Sequence, residues 1–118
     1  MSELDRTFAA LSDRTRRAVV ELLRERPRRA GELAQALDMS APAMSRHLRV
    51  LRESGLVREE HPKEDARVRV FTLEREPFDA LRAWVEEVET CWADELAAFK
   101  AHAERTRGAK KKRRSKRA

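Results

Sequence analysis

Two arginines and a serine, Ser45, Arg46 and Arg49, share one side of a helix-forming segment near the middle of the chain. With Met44 at the centre of a buried face and 100° per residue, Leu48 and Leu51 fall beside it. Pro42, Ser45, Arg46, Arg49 and Glu53 then fall on the far side. An outward arginine can make paired hydrogen bonds to the guanine edge in a major groove. Ala41 and Ala43 at the start of the same helix are small enough for close approach and for contact with thymine methyls. Further along, Lys63, Arg67 and Arg69 are placed to reach backbone phosphate or the minor groove. This is recognition chemistry for double-stranded DNA, with no bond broken.

Other chemistries find little support. There is no Gly-rich phosphate loop, no Ser/His/Asp constellation and no paired carboxylate in an evident pocket. Cys91 and His102 are eleven positions apart, about 16 Å along a helix, too far for a catalytic dyad. Three histidines and one cysteine offer few ligands for a four-coordinate metal site. No catalytic residue, metal or cofactor is expected, and Cys91 reads as a small packing residue. A lone cysteine cannot form an internal disulfide, which fits a reducing compartment. No apolar run approaches the roughly 20 residues of a membrane span, and no secretory leader is visible. A cytoplasmic chain with no membrane partner is expected.

The 118 residues suit one domain, and the charge of +6 is unevenly spread. Seven of the 27 Lys and Arg residues lie in 108–118 with no acid, so the rest is nearly neutral. Residues 13–32 carry seven arginines against four acids, and 40–75 carry eight basic residues against six acids. Residues 76–105 carry eight acids against three basic residues. A basic half beside an acidic one suggests that only one region meets phosphate.

The elements that position the arginines follow from periodicity and caps. Residues 3–11 read as an amphipathic helix with Leu4, Phe8 and Leu11 on one face. Ser12 and Asp13 are start signals for a second helix, which stops before Pro27. A third, short helix is expected over 30–37, then a tight connection at 38–40. Ser40 caps a fourth helix that runs to Glu53, and Gly55 supplies its stop. A short helix, a three-residue turn and a capped helix make a helix-turn-helix over 30–53. Two strand-like runs follow at 56–60 and 67–73, with Arg67 and Arg69 alternating with Val68 and Val70. They form a wing joined by a loose loop of about six residues.

A long helix opens at Pro77 and is expected to reach about Arg105. Phe78, Leu81, Val85, Val88, Trp92, Leu96 and Phe99 recur at spacings of three or four. About 30 residues span about 45 Å, more than so small a domain can cover alone. The stripe either packs on the domain's own core or forms a homodimer seam, and its near-3.5 spacing favours helix pairing. Leu4 and Phe8 join that expected interface.

Residues 10–17 (ALSDRTRR), 31–34 (GELA) and above all 44–57 (MSRHLRVLRESGLV) resemble the ArsR/SmtB winged-helix repressors over about residues 4–73. The resemblance implies a homodimer joined by its first and last helices. It implies that the 44–51 helix enters the major groove, which carries over to Ser40, Ala41, Ala43, Ser45, Arg46 and Arg49. His47 matches a usual family position, either as a DNA contact or as a helix-positioning residue. Many members sense metals through a Cys-x-Cys pair at the start of the third helix, where Arg29 and Gly31 stand here. Glu89, Cys91, His102 and Arg105 echo the spacing of a second family metal site, but too late in the chain and with a cation in a carboxylate's place. The 84–92 stretch (WVEEVETCW) is similar to a metal-free subset, which implies an inducer of another kind.

The expected architecture is thus α+β, mainly helical: a winged helix-turn-helix of order α-α-α-α-β-β-α with a long C-terminal dimerisation helix. Residues 1–107 form the DNA-binding and dimerisation domain and 108–118 a disordered basic tail. That tail reads as an electrostatic arm on DNA, a nuclear import signal or a solubilising end. The competing function is a winged-helix scaffold that binds a protein partner without reading DNA.

Overall fold

The computed structural model describes residues 1–117, with side chains through Gly108. The chain divides into two compact units, Met1–Leu81 and Arg82–Ala118. The first holds α1 (Glu3–Leu11), α2 (Arg14–Glu25), β1 (Arg28–Arg29), α3 (Ala30–Ala36), α4 (Ala41–Glu53), β2 (Val57–Glu60) and β3 (Val70–Leu73). It also holds the first turns of α5 (Glu76–Arg117), which continues through the second unit.

Local side chains explain where the helices begin and end. At the head of α1, Ser2 and Asp5 satisfy each other's backbone N–H at 3.1 Å, a reciprocal cap. Asp13 caps α2 by accepting from the Arg16 N–H at 2.9 Å. Arg16 and Arg17 then donate to the last carbonyls of α1, at Ala10 and Leu11, both at 2.7 Å. Much of the positive charge of residues 13–32 is therefore used inside the fold. Arg28 and Arg26 follow the pattern, pairing with Glu25 at 2.8 Å and Glu32 at 3.0 Å.

The connection from α3 to α4 is closed by the Met39 N–H donating to the Ala34 carbonyl at 2.9 Å. Asp38 sits there at φ 51°, a left-handed conformation that aspartate tolerates better than most side chains. The Ser40 hydroxyl accepts from the Ala43 N–H at 3.3 Å and Pro42 occupies the first turn. Gly55, at φ 77°, ends α4 as expected.

Antiparallel pairing orders the sheet β1-β3-β2, with Glu59 opposite Phe71 and Arg28 opposite Phe71 on the other side. Strand β1 is not among the elements expected from sequence, because two residues carry no periodic signal. The buried core joins Val19 and Leu23 of α2, Leu33 of α3, Met44, Leu48 and Leu51 of α4, and Leu56, Val57 and Phe71. Three helices and one face of the sheet therefore fix the seat of α4.

The long helix α5 runs past the end expected near Arg105. The tail expected over 108–118 lies, beyond Gly108, outside the residues whose side chains are described. Along α5, Val85, Val88, Trp92, Leu96 and Phe99 are all exposed, Trp92 to 62% and Phe99 to 71%. Leu81, in the first unit, is half-buried. The apolar stripe is thus not consumed by packing within this chain.

Candidate nucleic-acid interface

The outward face of α4 carries the arginines as the periodicity predicts. Met44, Leu48 and Leu51 are fully buried beneath it, while Ala41, Pro42, Arg46 and Arg49 are exposed. Ala43 is half-buried. Arg46 makes no hydrogen bond or ion pair among the described residues. Arg49 reaches Glu53 at 3.4 Å, but both side chains are well exposed, so that pair holds it only weakly. Ser40 is occupied in capping the helix whose first turn it opens.

The wing divides its three basic residues into two kinds. Lys63 and Arg67 lie exposed on the loop between β2 and β3, and Arg67, 96% exposed, has only Asp65 nearby at 3.8 Å. Arg69 is held. Its guanidinium donates to Glu59 at 2.6 Å and to the Ser45 hydroxyl at 3.3 Å, and it lies 5.2 Å over the Phe71 ring. Glu59 also accepts from Arg52 at 2.5 Å and has His61 Nε2 at 3.5 Å. One carboxylate, 10% exposed, thus ties β2 to α4 through Arg52, and to the segment entering β3 through Arg69. Ser45, read as a DNA-facing residue, is the far end of that network.

His47 is half-buried, with Nδ1 3.8 Å from the Asp13 carboxylate that caps α2. The N–H of Arg16, then the charges of Arg16 and His47, hold the Asp13 carboxyl below its ordinary range. This placement favours the helix-positioning role for His47, since it joins α4 to the start of α2.

Glu59 and Arg52 are functional residues that the sequence patterns do not single out. A signal for Glu59 exists: strand alternation puts it on the same face as Val57, so a carboxylate has to point inward. In the second strand, alternation points to Val68 and Val70 as the inward residues. Phe71 is the buried one instead, and both valines are half-buried. Arg69, two positions before Phe71, shares its face and folds across its ring.

The hydrogen bond from Arg69, helped by Arg52, holds the Glu59 carboxyl below the ordinary range, against the opposing effect of burial. A folded-state value below the unfolded one contributes stability above the ordinary carboxylate range, lost as pH falls through the depressed value. Replacing Glu59 with Gln is expected to cost about 1.5–3 kcal/mol at neutral pH. Below about pH 5 the variant should lose stability less steeply than the wild type. Thermal melts across that range check this, and parallel pH profiles would refute it.

Residues 13–59 match the family of bacterial regulatory proteins named arsR. The chain is 38% identical over 95 residues to the HTH-type transcriptional regulator Rv2034 of Mycobacterium tuberculosis, covering 80% of this chain and 83% of that protein. It is 33% identical over 54 residues to the transcriptional repressor SdpR of Bacillus subtilis, covering 46% of this chain and 60% of that one. An ArsR-like transcriptional regulator from Rhodococcus sp. RHA1 superposes with a TM-score of 0.69 at 30% identity, covering 83% of this chain and 90% of that structure. The crystal structure of another ArsR family transcriptional regulator gives 0.70 at 38% identity, covering 77% and 97%.

Proposed function

Since this chain belongs to the arsR family of bacterial regulatory proteins, and so is a DNA-binding transcriptional regulator and not an enzyme, we propose that it represses as a homodimer. Each protomer inserts α4 into a major groove, and two-fold symmetry places the half-sites about one helical turn apart. Repression follows from occupying promoter DNA. The observation that carries the reading is Arg46, exposed on a capped helix with a fully buried opposite face, and without an internal partner among the described residues.

The dimer is supported by the exposed stripe of α5, with Leu81, Leu4 and Phe8 as further contributors. Val88 and Trp92 stand one turn apart in a row that water alone would otherwise cover. Buried apolar surface contributes about 25 cal/mol per Å², so such a row drives association of two copies.

Release by something other than a metal ion is supported by donor chemistry. Arg29 and Gly31 stand where a thiolate pair would be needed, and Arg105 sets a cation beside His102. The inducer is an organic or protein signal. Lys63 and Arg67 contribute phosphate contacts from the wing, and residues 108–118 add further sequence-independent attraction.

Arg46→Ala is expected to cost about 1–3 kcal/mol of binding and to relax preference at one base position in each half-site. Selection from a random duplex library, run on both proteins, checks this. An equal loss on every sequence would make Arg46 a phosphate contact.

A further inference from the structure

The hub at Glu59 sets an inward carboxylate against two arginines at the edge of the DNA-reading face. Arg69 touches Ser45, which neighbours Arg46 on α4, and Arg52 lies one turn beyond Leu48 on the same helix. Both guanidiniums remain accessible, Arg52 at 49% and Arg69 at 36%, while Glu59 is sheltered at 10%. A free guanidinium at that edge would bind phosphate whatever the sequence. Resting on the DNA-regulator reading, we propose that Glu59 is a specificity-determining residue, withholding Arg52 and Arg69 from phosphate so that Arg46 and Arg49 decide where the protein binds.

The ion pairs of the wing differ in a way that supports this. The Arg67–Asp65 pair is long and solvated, 3.8 Å with Arg67 fully in water, and yields readily to a phosphate. The Glu59 pairs are short, sheltered and doubly donated, and the Phe71 ring backs one guanidinium. They persist when DNA arrives. Every additional phosphate neutralised steepens the salt dependence of binding by about 0.9 without adding discrimination. Specificity is the ratio of selected to random affinity, so sequence-blind attraction of that kind lowers it in effect by raising the background.

The test uses the full chain as wild type, Glu59→Gln, Arg69→Gln and the double variant, each titrated over a salt series. The probes are a duplex selected by the wild type and a random-sequence duplex of equal length. Glu59→Gln is expected to bind the random duplex more tightly, with a log–log salt slope steeper by about 1–2. Its selected-to-random ratio should fall about tenfold, one decade being about 1.4 kcal/mol. Adding Arg69→Gln should return about one unit of the slope. Arg69→Gln alone should leave the wild-type slope unchanged, because that side chain is already withheld. This arm decides the matter even if Glu59→Gln fails to fold.

A Glu59→Gln slope no steeper than wild type overturns the proposal, as does equal weakening on both duplexes. An Arg69→Gln slope shallower by about 1 also overturns it. A wild type that selects no sequence overturns the regulator reading and this inference with it. Preference in the wild type with an unchanged Glu59→Gln slope overturns this inference alone.

Discussion

Replacing Val88 and Trp92 together with glutamate is expected to yield folded monomers whose affinity for a two-half-site duplex falls at least about a hundredfold. Both side chains are exposed in the single chain, so the change leaves the protomer's own core intact. In a dimer the same positions are buried, and each protomer would bring two carboxylates into an apolar seam. Unpaired burial of such charges costs several kcal/mol each, far more than the side chains' own transfer energy. Loss of the second recognition helix then removes the gain from simultaneous engagement, typically a factor of about 10²–10⁴. Sedimentation gives the mass and anisotropy gives the affinity. A variant that remains dimeric would show that the α5 stripe is not the seam.

Leu48→Ala acts on the other side of the recognition helix. Leu48 is fully buried and belongs to the cluster that includes Val19, Leu33 and Phe71. Truncation removes transfer energy and leaves a cavity, together about 2–5 kcal/mol. For a domain stable by about 5–15 kcal/mol that is a large share. The denaturant midpoint should fall with its slope unchanged, and DNA binding should weaken in proportion to the folded fraction. Arg46→Ala should show the opposite pattern, with stability nearly intact and binding reduced. If Leu48→Ala left stability untouched, α4 would not be seated as described.

Whatever a period or a cap encodes is legible in the chain. Ser40, Pro42 and Gly55 bracket α4 because each acts within its own turn, and the run Met44, Leu48, Leu51 fixes the helix's rotation. The arginines follow from that rotation alone. The start of α2 is legible for the same reason, since Asp13 caps within three residues. What is not legible depends on distant partners. Two-residue β1 exists only because β3 offers it a ladder. The hub needs residues seven and ten positions from Glu59 to meet it across two strands and a helix. Arg16 and Arg17 look like surface charge until the end of α1 is placed beside them. The inward face of β3 escapes alternation because two valines outweigh one phenylalanine by propensity, whereas volume decides the packing.

The most direct measurement is fluorescence anisotropy of the full chain against its own upstream DNA and a shuffled duplex of equal length, across salt, with and without chelator. A DNA-reading repressor that answers to no metal should bind the upstream duplex tightly and the shuffled one much more weakly. Both affinities should fall with salt, and neither should change with chelator. Equal affinity for the two duplexes, persisting when a random library is offered for selection, would contradict sequence-specific recognition by α4.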